Sequence, residues 1–180
     1  MNGPEGVRNK SWILVLALLF VSMGASAQSD TWKTYSYPAD GFSIGAPGEP
    51  QMSQLDVPTN AGTFPVHMYS VSPGNAQLMV AMNDYGSAVN GKDPKTVVDG
   101  AMHGAVANVQ GHLIQSSSIT IGKNLGDSFE AETDQAHVSG RIYLVGSVLY
   151  QLMVFTPLNQ SYADTARFFD SFKLIPRGQS

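Results

Sequence analysis

The feature that most constrains the fold is a pair of adjoining segments near the C-terminus that are apolar on both sides. Residues 136–145 and 148–155 alternate as strands do, and Gly146-Ser147 between them suits a two-residue hairpin turn. One side carries Tyr143, Val145, Val148, Tyr150 and Val154, and the other carries Leu144, Leu149, Met153 and Phe155. A strand that is apolar on both sides is generally covered on both faces of its sheet. We therefore expect each face of this hairpin to be covered by another layer.

The first covering layer is predicted to be a helix that begins at Asp93-Pro94. Asp is a favoured N-cap, and Pro fits the first turn because its missing N–H has no partner there. Gly111 ends the pattern, and we expect Gly100 and Gly104 to let the helix approach the sheet closely. The apolar stripe, at helical spacing, is Val97, Val98, Ala101, Met102, Ala105, Val106 and Val109.

The second covering layer is predicted after Pro157. Ser161 is the expected N-cap, with Asp164 three residues later as in a capping box. Residues 172–174 return to extended structure. The inner face of this segment is predicted to contain Ala163, Ala166 and Phe169, with Tyr162 as a further candidate.

Short alternating segments separated by Gly, Pro and Asn predict the other strands. These segments are residues 32–37, 42–46, 63–71, 77–85, 112–121 and 128–134, and residues 51–62 are polar enough to predict a surface loop. A turn at Gln135-Ala136 would let opposite charges face each other across the next hairpin. The pairs it predicts are Glu130 with Arg141, Asp134 with His137, and Phe129 with Ile142.

Together these elements predict one α+β domain over residues 28–180. Its centre is a mostly antiparallel β-sheet flanked by helices on both faces. The chain is 43% hydrophobic and only 13% charged, so it can bury a core rather than remain disordered.

The first 27 residues have the pattern of a cleaved signal peptide. Arg8 and Lys10 precede an apolar stretch over residues 12–23, and Ala25-Ser26-Ala27 supplies the small residues at a cleavage site. The apolar stretch is shorter than the roughly 20 residues that span a bilayer, which argues against a retained membrane anchor. We expect a periplasmic or secreted protein of the bacterial cell envelope.

Composition excludes several classes of function. The chain has no Cys, so a disulfide framework, a thiolate metal site and a cysteine nucleophile are all absent. A sequence pI near 5.4 argues against nucleic acid as a partner, because phosphate binding needs a clustered basic surface. No cofactor is indicated.

Seven segments of the chain, taken in order, resemble a known family. They are residues 32–35, 38–44, 47–50, 104–111, 141–146, 149–152 and 167–174. Their order and spacing resemble a largely uncharacterised family of exported bacterial domains whose fold is similar to the PsbP-like fold. The resemblance implies an antiparallel sheet flanked by helices, an α/β/α sandwich, over nearly all of residues 28–180. PsbP proteins assist photosystem II, but the resemblance transfers no site residue to this chain.

The histidines are the first candidates for a site. His67, His103, His112 and His137 lie on different predicted elements and lack the short spacing of zinc ligands, so no metal site is predicted. Isolated histidines are the preferred interpretation.

The carboxylates are the second candidates. Glu130, Glu132 and Asp134 share one face of a predicted strand, where they could bind Ca²⁺, act as acid and base, or simply face solvent. Asp84 lies at the end of another strand, where it could be a functional acid or the cap of a turn. Because no Gly-x-Ser-x-Gly elbow or phosphate-binding loop occurs, no catalytic residue is assigned.

Two functional hypotheses follow. The first is a non-enzymatic exported binding or accessory module of the cell envelope, with a protein or a small molecule as its partner. The alternative is a hydrolase or transferase whose site is assembled from dispersed Asp and His residues, among them His67, His112 and Asp84.

The signal-peptide interpretation predicts cleavage after Ala27. N-terminal sequencing of the exported protein should start at Gln28, because signal peptidase reads the small residues before that position. A protein that still begins with Met1 would contradict the interpretation.

Overall fold

The computed structural model describes residues 32–59 and 62–178 as ten strands and two α-helices. The predicted signal peptide lies outside these residues. In chain order the elements are β1 Lys33–Tyr37, β2 Phe42–Ala46, β3 Gln51–Thr59, β4 Gly62–Val71, β5 Gln77–Asp84, α1 Pro94–Asn108, β6 His112–Ile121, β7 Asn124–Glu132, β8 Ala136–Val145, β9 Val148–Pro157, α2 Thr165–Ser171 and β10 Lys173–Leu174, with a 3₁₀ turn at Gly86–Val89 between β5 and α1.

The strands form two antiparallel sheets. The larger sheet has seven strands in the order β3-β4-β5-β9-β8-β7-β6, and the smaller has the order β1-β2-β10. After β5 the chain passes through α1 to the far edge at β6, and then returns strand by strand until β9 pairs with β5. The α+β class and the antiparallel sheet are confirmed, and the β8–β9 hairpin lies in the middle of the larger sheet.

The two sides of β9 enter two different hydrophobic clusters. Tyr150 and Leu152 belong to one cluster, together with Phe42 of β2 and Phe168 of α2. Leu149 and Met153 belong to the other, together with residues of α1. Consecutive strand residues point to opposite faces, so an apolar residue at nearly every position leads to a core on each side.

The α1 helix begins as its sequence predicts. Asp93 accepts a hydrogen bond from the Thr96 backbone N–H at 2.9 Å, and Val98 and Met102 are buried against the sheet. The expected role of Gly100 and Gly104 is wrong, because a Cβ built on either residue meets nothing within 4 Å. These glycines lie beside the packed stripe rather than within it.

The α2 helix starts later than predicted. Its N-cap is Asp164, which makes no side-chain capping bond, so the expected cap at Ser161 is wrong. The later start rotates the inner face toward Phe168 and Phe169, which are buried, whereas Ala163 and Ala166 are exposed. Of the predicted inner face, Phe169 is buried, and Tyr162, the further candidate, is half-buried against the same cluster.

The expected loop over residues 51–62 is also wrong, because most of it is strand β3. Every residue of β3 is paired with β4. The strand lies at an edge of the large sheet and its described side chains are mostly exposed, so its sequence is polar enough to resemble a loop.

The hairpin of β7 and β8 is two residues out of the predicted register. Glu132 pairs with His137, so the turn spans Thr133 to Ala136 rather than two residues. The Thr133 backbone N–H donates to the Ala136 carbonyl at 2.8 Å, and the Thr133 hydroxyl accepts from the Ala136 N–H at 2.9 Å. A two-residue shift preserves which face each side chain occupies but changes every partner.

The new partners replace the three predicted pairs. Glu130 lies opposite Ser139, and Phe129 lies opposite Gly140. Arg141 forms an ion pair with Asp170 of α2 at 2.9 Å instead of facing Glu130. Among the described residues, no helix is long and apolar enough to cross a membrane.

The packing predicts opposite effects for two glycine-to-alanine substitutions. A Cβ at Gly140 would overlap the Phe129 ring, so Gly140→Ala should lower the free energy of unfolding by about 1–3 kcal/mol. Gly104→Ala in α1 should raise it by about 0.5–1 kcal/mol, because Ala favours helix and nothing obstructs it. Urea unfolding followed by circular dichroism measures both, and equal effects would contradict the packing described for β7 and β8.

Candidate functional site

A cavity of about 280 Å³ opens beside the large sheet, between β7–β9 and the segment that leads into α2. Strand residues form one wall and residues 159–165 form the other. The lining residues are Glu132, His137, Ser139, Val154, Thr156, Asn159, Gln160, Ser161, Tyr162 and Thr165. All but Val154 carry a polar side-chain atom, so the cavity can exchange hydrogen bonds over most of its surface.

The rim of this cavity is held by hydrogen bonds from several directions. Thr156 donates from its hydroxyl to the Gln160 carbonyl at 3.1 Å, and the Gln160 amide oxygen accepts from Asn75 at 2.7 Å. Thr165 donates to the Tyr162 carbonyl at 2.7 Å. Asn159 has a φ of 62°, a left-handed conformation that Asn tolerates better than most residues. The rim is therefore shaped by the fold before any ligand arrives.

Three of the residues singled out in the sequence come together in the wall. His137 Nε2 lies 2.8 Å from Glu130 Oε2, and His137 Nδ1 lies 3.5 Å from Glu132 Oε1. His112 lies opposite Glu132 in the register, which places it on the same face. Glu130 and Glu132 lie only seven and five positions from His137, and the β7–β8 turn brings them together, whereas His112 is 20 positions from Glu132 and reaches it through the β6–β7 pairing.

The cavity favours positive or neutral ligands. Glu132 is in the lining and Glu130 lies behind His137, whereas neither Lys nor Arg is a lining residue. Carboxylates that face a cavity accept hydrogen bonds and repel anions. Among the described residues, no group of three or more His, Asp and Glu side chains is arranged to hold a metal ion.

The Ser139 hydroxyl in the wall is not arranged as a nucleophile. Ser139 Oγ donates to Glu130 Oε2 at 2.7 Å, and His137 bonds the same carboxylate oxygen. In acyl-transfer sites the imidazole lies between the hydroxyl and the carboxylate, so that it removes the hydroxyl proton. Here the carboxylate lies between the other two groups, which is an arrangement suited to binding.

A second polar cluster lies at the junction of the two sheets. Asp40, in the turn after β1, is buried, and His67 Nδ1 of β4 lies 2.9 Å from its Oδ2. The Tyr69 hydroxyl donates to the same oxygen, and the Tyr150 hydroxyl donates to the Asp40 carbonyl at 2.7 Å. Burial, reinforced by the hydrogen bond to Asp40, raises the pKa of Tyr69 above its usual value.

The sequence analysis treated Asp40 only as part of a turn. A Pro-Ala-Asp-Gly turn already explains why an Asp occurs at this position, so the local sequence does not indicate that Asp40 has a tertiary partner. The partners of Asp40 come from β4 and β9, more than 25 residues away. The isolated His67 of the sequence analysis is therefore one member of a buried network.

Asp84 caps a turn, which is one of the two roles that its position at a strand end allowed. It accepts hydrogen bonds from the Gly86 backbone N–H at 2.9 Å and from the Ser147 hydroxyl at 2.6 Å, and Arg177 lies 2.9 Å away. The hydrogen bond from Ser147 is the main cause of the lowered pKa of Asp84, with Gly86 and Arg177 contributing. These bonds tie the end of β5, the 3₁₀ turn that follows it and the C-terminal segment to the β8–β9 turn.

The other candidates lie apart from the cavity. His103 is on the exposed face of α1, and Asp134 is in the β7–β8 turn. His67, His112 and Asp84, the residues of the enzymatic alternative, lie outside the cavity lining.

Comparison with known proteins identifies the fold. No protein-family model matches this sequence, and no curated protein matches it. Among solved structures, the chain is similar to cyanobacterial PsbP (CyanoP) from Synechocystis sp. PCC 6803, with a TM-score of 0.57. The match covers 86% of this chain and 98% of that one. The chain has a PsbP-like fold.

The PsbP-like fold confirms the resemblance seen in the sequence. Identity to the cyanobacterial protein is 12%, so the likeness concerns the arrangement of strands and helices. At that identity the side chains of a site are not inherited with the fold, and function has to be argued from the site itself.

The buried network predicts a loss of stability at high pH. Tyr37, Tyr69 and Tyr150 have raised pKa values, mainly because of burial, so each remains protonated in the folded protein when its unfolded counterpart ionises. The free energy of unfolding should therefore fall above about pH 10.

Tyr69→Phe tests the source of this loss. It should make the decline above pH 10 shallower, and at pH 7 it should cost about 1.5–3 kcal/mol because Asp40 loses a donor. Tyr85→Phe is the matched control, since it keeps the ring contact with Phe64 and should change stability by less than about 0.5 kcal/mol. A decline of unchanged slope in Tyr69→Phe would contradict the assignment.

Proposed function

We propose that this protein is an exported, non-enzymatic binding or accessory module of the cell envelope. The observation that carries the proposal is the polar cavity between β7–β9 and the segment before α2, with Glu132 and His137 in its wall. We further interpret the domain as an α/β/α sandwich, because α1 and α2 supply side chains to different hydrophobic clusters.

The chemistry of the cavity defines the ligand class. The lining combines a carboxylate with Ser, Thr, Asn, Gln and Tyr side chains, and it lacks Lys and Arg. A small molecule rich in N–H or O–H donors, such as an amine or a polyhydroxylated compound, complements these acceptors. Nucleotides and other phosphate compounds do not, because their charge repels Glu130 and Glu132.

The volume indicates a small ligand. Pockets for drug-sized ligands have volumes of roughly 300–1,000 Å³, and this cavity of about 280 Å³ lies just below that range. A monosaccharide or a short amine fits such a space, whereas a long oligomer would extend into solvent.

The enzymatic alternative, a hydrolase or transferase, has less support. Of its candidate residues, His67 bonds the buried Asp40, and Asp84 is engaged by Ser147 and Arg177. Each group already has a partner with a structural role. Turnover of an ester, peptide or glycoside by the purified protein, well above a heat-killed control, would favour the alternative.

Thermal unfolding with a ligand panel tests the proposal. Amines and polyhydroxylated compounds are compared with nucleotides, inorganic phosphate and divalent cations, all against a buffer containing EDTA. A ligand at 100 times its dissociation constant adds about 2.7 kcal/mol, which raises the Tm of a domain of this size by roughly 5–10 °C. We expect this rise from at least one amine or polyhydroxylated compound and none from the anions.

Two isosteric variants locate the effect. Glu132→Gln removes a charge from the cavity wall and should reduce the ligand-induced rise in Tm, while Glu49→Gln removes an exposed charge outside the lining and should leave the rise unchanged. A flat response across the whole panel, or a rise that Glu132→Gln does not affect, would contradict binding in this cavity.

A further inference from the structure

The two edges of the seven-stranded sheet differ in how they are protected. The outer strands are β3 at one edge and β6 at the other. The β6 strand contains an irregularity between Leu113 and Gln115, a bulge of the kind that blocks pairing with another strand. The β3 strand pairs with β4 over all nine of its residues with no shift of register. Its outer backbone groups therefore form a regular row.

The hairpin that forms the β3 edge is almost uncharged. Between Gln51 and Val71, Asp56 is the one Asp, Glu, Lys or Arg residue in the sequence. Natural edge strands are commonly protected by charged side chains, Lys above all. This edge has no Lys, and Pro58 near its end is the one residue there that lacks an N–H.

Half-buried apolar side chains extend to this edge on the sheet face to which α1 belongs. Leu55 lies opposite Val66, and Val57 lies opposite Phe64, so the four share one face, and all four are partly exposed. The α1 helix packs on β6, β7 and β8, at the other end of the sheet. These four residues form an apolar strip that ends at the β3 edge. A strand that paired with β3 would extend the sheet and could continue this strip.

We propose that two copies of this chain pair through β3, antiparallel and about a two-fold axis at Leu55. In antiparallel pairing, residues that lie opposite each other share a face. Leu55 would then face Leu55 of the second copy, and the two apolar strips would join into one. A two-fold interface of this kind uses the same surface on both copies and closes after two.

Asp56, the one charged residue of β3, favours this register over an axis at Asp56 itself. With the axis at Leu55, Asp56 lies opposite Gln54 of the second copy, and each carboxylate has an amide as neighbour. With the axis at Asp56, two carboxylates would lie directly opposite, which is destabilising. Axes at neighbouring apolar positions are disfavoured for a second reason, since an axis at Val57 would place Pro58 opposite Asp56 and remove a donor from the ladder.

The absence of Cys from the sequence allows a direct test with the full chain expressed and purified as the host processes it. Leu55→Cys introduces the only thiol, and opposite residues on paired strands have the Cα separation that a disulfide needs, about 4.5–5.5 Å. Mild oxidation should give a covalent dimer in high yield. The matched control is Ser116→Cys on the exposed outer strand β6, which should stay mostly monomeric.

Light scattering without any cross-link gives the second measurement. The wild-type protein should show twice the monomer mass at high concentration, and Leu55→Lys should restore the monomer because two ammonium groups would face each other at the axis. Ser116→Lys, on the opposite edge, should leave the dimer unchanged. Cooperative thermal unfolding of Leu55→Lys shows that the variant is folded.

Each other outcome overturns the proposal. A wild-type protein that is monomeric at all concentrations excludes self-association, and β3 would then be open to a strand from another protein instead. A dimer that persists in Leu55→Lys, or cross-linking of Ser116→Cys as efficient as that of Leu55→Cys, places the interface elsewhere. The proposal is independent of ligand binding in the cavity, because the β3 edge and the cavity share no residue.

Discussion

The structure depends on the burial of both faces of the β8–β9 hairpin. Leu149 and Leu152 are both fully buried, yet they belong to different clusters, because neighbouring residues of a strand point to opposite faces. Neither cluster can form without a cover on its own side. The position of α1 against β7 and β8, and that of the small sheet with Phe168 of α2 against the other face, are consequences of this requirement. On each face, the burial of apolar surface contributes about 25 cal/mol per Å² to the free energy of folding.

The polar features occur where this cover ends. On β9, Val154 is buried in a cluster, and two residues later Thr156 lines the cavity. Asp40 similarly marks the margin of the small sheet, where its buried carboxylate meets His67 and Tyr69 of β4. A buried charge is tolerated only with hydrogen-bonding partners, so this network joins the two sheets in a defined way. The cavity and the sheet junction therefore lie at different ends of the same face.

The sequence predicted α1 accurately because its evidence is local, although local evidence also placed the N-cap of α2 at Ser161 rather than at Asp164. The N-cap at Asp93 and the stripe of α1 follow from neighbouring residues, and the structure agrees with both. Other errors arose where partners decide the outcome. The β7–β8 turn is set by bonds to Thr133, which moves Glu130 from Arg141 to His137 and Ser139. The edge strand β3 resembles a loop because its described side chains are mostly exposed, so burial imposes no apolar pattern on them.

Periodicity and turn chemistry alone determined that this chain is an α+β protein and that its β8–β9 hairpin is apolar on both faces, since both kinds of evidence depend on a few neighbouring residues. The tertiary structure alone decided which side chains meet. Glu132 and His137 reach one cavity with Thr156 because strands pair in a register that no single strand specifies. Asp40 and His67 are brought together by the packing of one sheet on another. Those contacts depend on how all the strands and helices pack together, and the pattern of residues along one element does not contain that information.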